Sequence, residues 1–232
     1  MKIPTTKAKK RSSKVQRQNK PAPDPQFPTK KHVGNVKGSK WNPEPLTKDE
    51  VLSLIKACST KGVSGIRNKA LIVVLWRAGL RISEALALKP SDYDPEKGTL
   101  RVLMGKGGKM RLVGLDPRAG AVLDHWIEKR ANLGAHGRHR IFCQITQGAL
   151  GKPVESSYVR HLMKRLAVKA GLEKRVHAHG LRHTMASEMR AENIDIGIIS
   201  KQLGHSSIST TARYIDHLNP AETIKAARDR VW

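Results

Sequence analysis

The spacing of apolar residues predicts that most of this chain is helical. A first helix begins where Thr47 and Glu50 have the spacing of a capping box ahead of an apolar run. A second helix is predicted from about Gly65 to Ala78, and Gly79 is placed to close it in a left-handed turn. The same period predicts further helices at about 82–88, 117–133, 156–170, 180–192, 195–203 and 207–215, and a last amphipathic segment at 220–231.

One stretch has the two-residue alternation of a strand instead. Residues 99–103 alternate before the sequence Gly105-Lys106-Gly107-Gly108-Lys109, and residues 111–115 alternate after it. Glycines between two alternating segments are typical of a β-hairpin, and the tip of this one is basic. The predicted fold class is therefore mainly α with a small β-hairpin or three-stranded sheet (α+β).

The first forty residues differ in composition from the rest of the chain. They contain twelve Lys or Arg, one acid and five Pro, with few apolar positions. Such a segment cannot bury enough apolar surface to offset its ordering entropy. We predict a disordered basic arm over residues 1–44 and a folded domain over 45–232. Lys9, Lys10 and Arg11 are candidate DNA-phosphate contacts or a nuclear address, and a solubilising tail is an equally good interpretation.

The charge of the chain indicates its class of partner. The 232 residues include 44 Lys and Arg against 19 Asp and Glu, which gives a net charge of +25. So much positive charge favours a polyanion, with nucleic acid first and an anionic membrane second. Aromatic residues make up 4% of the sequence, too few for a base-stacking platform of the RNA-binding kind.

The cysteines and the apolar runs indicate the cellular compartment of the protein. Two cysteines, Cys58 and Cys143, exclude a disulfide framework and favour a reducing compartment, in which both would be small core residues. No apolar run has the length of a membrane span, and the first twenty residues are charged where a signal peptide is apolar. We expect a soluble, cytoplasmic (nucleoid-associated) protein.

Several residues together supply what a protein needs to cut a phosphodiester without a metal. Attack on phosphorus builds negative charge on two non-bridging oxygens, and guanidinium forks such as Arg81 and Arg182 hold that charge bidentately. Tyr214 is the candidate nucleophile, and its hydroxyl, with a pKa of about 10, needs a proton acceptor nearby. His179 is the candidate base. It lies three residues before Arg182, on the same helix face, and near a helix N-terminus that disfavours the imidazolium.

The departing sugar alkoxide needs a proton, and a lysine on a flexible Gly-rich hairpin can supply it. Lys106 and Lys109 are both candidates, and charge alone does not choose between them. His205 would donate a hydrogen bond to a phosphate oxygen. Glu84, one helical turn from Arg81, would orient an arginine or a histidine. Arg111 joins Lys109 as a candidate DNA contact beside the hairpin tip.

The order of these residues resembles the catalytic domain of the tyrosine recombinases of the phage-integrase and Xer type. The resemblance covers about residues 45–220, and in that family the hairpin lysine nearest the first glycine is the general acid, which favours Lys106. The resemblance rests on four segments: Ala78-Gly79-Leu80-Arg81-Ile82-Ser83-Glu84, Gly105-Lys106-Gly107-Gly108-Lys109, His179-Gly180-Leu181-Arg182-His183-Thr184, and Leu203-Gly204-His205-Ser206-Ser207-Ile208-Ser209-Thr210-Thr211-Ala212-Arg213-Tyr214.

The resemblance implies a mechanism and an assembly. Tyr214 would cleave a DNA strand and form a 3′-phosphotyrosyl link with a free 5′-hydroxyl, and the strand would be rejoined to another one without ATP, metal or other cofactor. Members of the family usually act as tetramers on two double-stranded DNA sites, and accessory DNA-bending proteins are possible partners. Their last helix often docks onto a neighbouring protomer. Residues 220–232 would be that helix here, and packing onto their own domain is the alternative.

The sequence departs from the family pattern in one large respect. Family members usually carry a separate helical core-binding domain before the catalytic one, and here only the basic arm stands in that place. We therefore expect a short member of the family, a protein that relies on a partner, or a fragment. A smaller departure is Ala178, where relatives often have Pro.

Three other interpretations stay open from the sequence. His177, His179 and His183 could bind zinc, although the Glu of an HExxH motif and a Cys partner are both missing. A catalytically inactive DNA-binding protein of the same fold is a second interpretation, against which Tyr214 is the main argument. A type IB topoisomerase shares the phosphotyrosine chemistry and would relax supercoils without joining two sites.

Overall fold

The helices and a small sheet follow one another in the order that the sequence predicts. The computed structural model describes residues 45–103, 110–205, 207–215 and 228–229, with the backbone alone for 213–215. The helices are α1 (Lys48–Ala57), α2 (Val63–Arg77), α3 (Ile82–Ala87), α4 (Pro117–Asn132), α5 (Ser156–Lys169), α6 (Ala178–Ala191), α7 (Ile196–Leu203) and α8 (Ile208–Ile215); the strands are β1 (Tyr93–Asp94), β2 (Thr99–Val102) and β3 (Arg111–Gly114).

This content confirms the predicted fold class, mainly helical with a three-stranded sheet. The predicted basic arm, the hairpin tip with Lys106 and Lys109, and all but two residues of the predicted last helix lie outside the described residues. In the part of the chain that is described, no helix has both the length and the apolar character of a membrane span.

Local chemistry explains where several helices begin and end. The predicted capping box is confirmed: Thr47 Oγ1 accepts from Glu50 N at 3.2 Å, and Glu50 Oε2 accepts from Thr47 N at 2.7 Å. Gly79 follows α2 with φ of 61°, as predicted. It also lies where a Cβ would strike Met185 of α6 and crowd Leu203 of α7. Glycine at this position therefore allows both the turn and the close approach of three helices.

The sheet is antiparallel in the order β1-β2-β3, with Leu100 opposite Val113 and Val102 opposite Arg111. Leu100, Val102 and Val113 are buried, whereas Leu112 is exposed, so the inner face of the sheet alternates as the sequence indicates. Val102, at the end of β2, pairs with Arg111, at the start of β3.

The core is centred on α2, which packs against both α4 and α6. Its residues 70–76 are all buried, because helices cover it on more than one side. At its end Arg77 Nε donates to Asp116, the N-cap of α4, at 2.7 Å, and Arg77 Nη1 donates to Glu188 of α6 at 3.0 Å. These ion pairs fix the carboxyl end of α2, which leads directly into the turn at Gly79. Cys58 and Cys143 are buried and unpaired thiols, as predicted.

Candidate active site

Arg81 is held by a glutamate one helical turn away. It is the N-cap of α3, and its backbone N–H donates to Glu84 Oε2 at 2.9 Å. The Nη1 of the same arginine donates to Glu84 Oε1 at 2.7 Å. Glu84 thus satisfies a backbone donor at the helix start and orients the guanidinium at the same time. About 30% of the Arg81 side chain stays exposed, so the remaining donors are open to a ligand.

The same carboxylate also binds an arginine of β3. Arg111 donates from Nη1 to Glu84 Oε1 at 3.0 Å and from Nη2 to Glu84 Oε2 at 2.9 Å, a bidentate pair. Burial of the Glu84 carboxyl opposes its ionisation. The hydrogen bonds from Arg111 and Arg81 outweigh this and hold the pKa of Glu84 below its ordinary value. Glu84 is therefore an ionised carboxylate that links two arginines distant in sequence.

Arg182 lies on α6 and is 1% exposed. Its Nη1 donates to the carbonyl of Gly79 and its Nη2 donates to the carbonyl of Leu203, both at 2.6 Å. Gly79 lies two residues before Arg81, and Leu203 lies two residues before His205. Arg182 therefore fixes the two turns that carry these side chains on either side of its own guanidinium.

His179 and His183 lie on the first turns of α6, which begins at Ala178, two residues earlier than predicted. Their rings meet edge to face, with centroids 4.7 Å apart. Desolvation, and then the charge of Arg182, lower the pKa of His179, although the residue keeps a solvent-exposed surface. Burial, followed by repulsion from the neighbouring histidines, lowers the pKa of His183 to about 4. Both rings are accordingly neutral at pH 7, which leaves His179 able to accept a proton.

His205 connects α7 to α8. It follows Gly204, the left-handed C-cap of α7, and its Nδ1 lies 2.8 Å from Oγ1 of the fully buried Thr211. Burial, and then the charges of Arg182 and Arg81, lower the pKa of His205 to about 4. When the Thr211 hydroxyl donates to Nδ1, Nε2 of the neutral ring carries the proton and can donate it to a ligand. Thr211 is on α8, three residues before Tyr214.

The structure thus brings together six of the predicted side chains: Arg81, Arg182, His179, His205, Glu84 and Arg111. Tyr214 lies on α8 by its backbone, and its side chain is outside the described residues. Lys106, Lys109, Lys9, Lys10 and Arg11 lie wholly outside the described residues. No group of three or more His, Cys, Asp or Glu residues arranged to hold a metal ion occurs among the residues that are described.

Sequence reasoning missed two features of this site. The pairing of Arg111 with Glu84 was not predicted, although the alternation of β3 puts Arg111 on the same face as the buried Val113. The role of Thr211 as the partner of His205 was also missed, and no sequence signal distinguishes it from the neighbouring Ser and Thr residues.

Comparison with known proteins identifies the family of this chain. The model of the phage integrase family matches residues 44–220, more than half of the chain. The chain belongs to the phage integrase family. The match confirms the predicted tyrosine recombinase membership and includes every segment on which the resemblance was based.

Several relatives of this phage integrase family member are named tyrosine recombinases. Tyrosine recombinase XerC of Xanthomonas axonopodis pv. citri is 36% identical over 190 residues, which cover 81% of this chain and 59% of the relative. Tyrosine recombinase XerD of Ralstonia nicotianae is 33% identical over 174 residues, 74% of this chain and 55% of the relative. The chain therefore spans less than two thirds of the length of these relatives.

Solved structures of similar fold include recombinases. The crystal structure of XerA recombinase aligns with a TM-score of 0.68 and 29% identity, over 82% of this chain and 66% of that one. The XerH site-specific recombinase bound to palindromic difH substrate, in a post-cleavage complex, aligns with a TM-score of 0.67 and 27% identity, over 82% of this chain and 54% of that one.

Proposed function

We propose that this chain is a site-specific DNA recombinase that cuts and rejoins DNA strands through a 3′-phosphotyrosyl intermediate on Tyr214. In the cleavage step the Tyr214 hydroxyl attacks phosphorus, the bond to the 5′-oxygen breaks, and His179 takes the proton of the tyrosine. Lys106 gives a proton to the departing 5′-oxygen. Arg81 and Arg182 hold the two non-bridging oxygens, and His205 donates to one of them.

The observation that carries this proposal is the position of Arg182 between the turns of Arg81 and His205. Two guanidinium groups and a histidine from three separate segments can converge on one phosphate only when such contacts hold the segments together. His205 is bonded in turn to α8, the helix that carries Tyr214. The names of the XerC and XerD relatives agree with this chemistry.

The nucleophile is tested with a nicked suicide substrate, from which the cut strand diffuses away and traps the covalent adduct. We expect Tyr214→Phe to give no adduct on a denaturing gel while binding the same DNA. Tyr93→Phe makes the same chemical change on β1 and should leave the adduct intact. An adduct that survives in Tyr214→Phe would mean that another residue is the nucleophile.

The general acid is tested with a substrate whose 5′-leaving oxygen is replaced by sulfur, which leaves without a proton. We expect Lys106→Ala to cleave the oxygen substrate about 10²- to 10⁴-fold more slowly than the parent protein and to recover on the sulfur substrate. Lys109→Ala is the matched variant at the same tip. Rescue of Lys109→Ala instead would move the acid role to that residue.

The DNA contact surface is proposed to include α5 and the basic arm with Lys9, Lys10 and Arg11. The exposed side chains of α5 form one stripe at helical spacing, and the helix sequence contains no acid. Lysines and arginines in such a stripe bind successive phosphates of a duplex. The stripe consists of Ser157, Arg160, His161, Lys164, Arg165, Val168 and Lys169.

This surface is tested by the salt dependence of binding. Each lost phosphate contact should reduce the slope of log affinity against log salt by about 0.9. We expect Arg160→Gln and Lys164→Gln to do so on all DNA sequences alike, as would removal of residues 1–40. Lys97→Gln, which changes an exposed lysine in the turn between β1 and β2, is the control and should not alter the slope. An unchanged slope in the α5 variants would remove this helix from the interface.

The assembly is proposed to be a tetramer on two double-stranded DNA sites, in which residues 220–232 dock onto a neighbouring protomer. The support is the apolar spacing of Ile224, Ala227, Val231 and Trp232. Sedimentation on DNA carrying one site and on DNA carrying two sites tests it, together with a chain ending at residue 219. A tetramer that forms without these residues would show that they are not the docking element.

A further inference from the structure

Arg111 lies at the end of the sheet next to residues 104–109, the segment that contains Lys106. It is the first residue of β3 and pairs with Val102, the last residue of β2, so the chain between the two paired residues contains Lys106. Val102 is 2% exposed, and 13% of the Arg111 side chain is exposed. The base of the hairpin is therefore anchored by buried groups, in contrast to the exposed Leu112 next along β3.

The guanidinium of Arg111 touches two other parts of the site. Both of its terminal nitrogens bond to Glu84, which is the carboxylate that also holds Arg81. On its other side Arg111 lies against Gly204, where a Cβ would come within 2.7 Å of the Arg111 Nε. Gly204 immediately precedes His205. A single side chain thus contacts the hairpin base, the Arg81 turn and the His205 turn.

We propose that Arg111 is a positioning residue: it holds the start of β3, the strand that follows the segment containing Lys106, against the Arg81–Glu84 pair and the His205 turn. This inference rests on the proposed function. It differs from the interpretation of Arg111 as a DNA-phosphate contact, because the paired bonds to Glu84 already use the face of the guanidinium that would grip a phosphate.

The loss of Arg111 should affect the proton on the leaving oxygen more than the grip on the phosphate. Glu84 keeps two bonds of its own to Arg81, at 2.9 and 2.7 Å, so Arg81 retains its partner without Arg111. Strand β3 keeps its backbone pairing to β2 and its two hydrogen bonds to Gln202 of α7, but the latter lie at Gly114, the far end of the strand from Arg111. A lysine that moves by about one ångström from the leaving oxygen loses much of its value as an acid.

The experiment uses the full chain and the paired oxygen and sulfur substrates. We expect Arg111→Met to cleave the oxygen substrate about 100-fold more slowly and to recover on the sulfur substrate nearly to the parent rate. Its DNA affinity and salt slope should match those of the parent protein. Arg101→Met is the control, since it removes an exposed arginine of the neighbouring strand and should cleave both substrates normally.

Each other outcome is informative. A slope reduced by about 0.9 would make Arg111 a DNA contact and overturn the proposal. Slow cleavage of both substrates would place its effect on Arg81 or the fold instead, and would also overturn it. Arg111→Lys keeps the cation without the bidentate pair and takes the place of Arg111→Met if that variant does not fold. Failure of the parent protein to form any adduct would refute the proposed function, which separates the two ideas.

Discussion

Replacement of Glu84 by glutamine should destabilise the domain in a pH-dependent way. The Glu84 side chain is 1% exposed and accepts four hydrogen bonds, two from Arg81 and two from Arg111. Glutamine has nearly the same shape but keeps only one acceptor oxygen, so two of the four donors lose their partner. It also leaves two guanidinium groups without a counter-charge.

The magnitude follows from these contacts. Two lost charge-assisted hydrogen bonds at about 1.5 kcal/mol each lower the free energy of unfolding by about 3 kcal/mol. The lower end of the range applies because Arg81 is partly exposed and can bind water instead. For a domain of this size, that change lowers the melting temperature by about 6–12 °C.

The pH dependence gives a second, independent test of the same reasoning. The pKa of Glu84 in the folded protein is below its ordinary value. Its stabilising effect is therefore complete above the pKa of an unfolded glutamate, about 4.3, and is lost as the pH falls through the folded value. The gap in stability between the parent and the Glu84→Gln variant should be widest near pH 7 and should narrow in acid.

Thermal melts followed by circular dichroism between about pH 3.5 and 7.5 measure both effects. The control is Asp94→Asn, an exposed carboxylate paired with Lys97 at 3.3 Å, whose melting temperature should stay close to that of the parent. If the melts of Glu84→Gln and the parent coincide across this range, the four bonds do not stabilise the fold and the account of Glu84 is wrong.

Three further substitutions test residues that support the site or the helices around it. Gly79→Ala should lower the free energy of unfolding by about 1–3 kcal/mol in a denaturant titration, because the new Cβ meets Met185 at a positive φ. Thr211→Val should slow adduct formation about tenfold by removing the hydroxyl that orients His205, and a normal rate would show that this bond is dispensable. Thr47→Ala should cost about 1 kcal/mol of stability through the lost cap and leave cleavage unchanged.

The sequence predicted those features whose causes lie within a few residues. Thr47 and Glu50 are three positions apart, and the capping box between them is present in the structure. The left-handed turn at Gly79 depends on the backbone freedom of one residue. His179 and Arg182 share the first turns of α6 because helix geometry brings residues three apart to one face.

Contacts between residues that are far apart in the sequence could be identified only from the structure. Glu84 and Arg111 are 27 positions apart, and Arg182 and Gly79 are 103 apart. The sequence indicated that Arg182 is important but not that backbone carbonyls hold two of its nitrogens. It also suggested that Arg111 binds DNA, whereas in the structure Arg111 pairs with the buried carboxylate of Glu84.

The physical reason for this division is the range of the interactions. Hydrophobic period, capping and turn chemistry act between near neighbours, so they can be read from the order of residues. The contacts that assemble the phosphate site depend on how α2, α6 and α7 pack around Gly79, and on the register that turns Arg111 inward. Packing is set by the shapes of many side chains at once, and only the folded chain decides which of them meet.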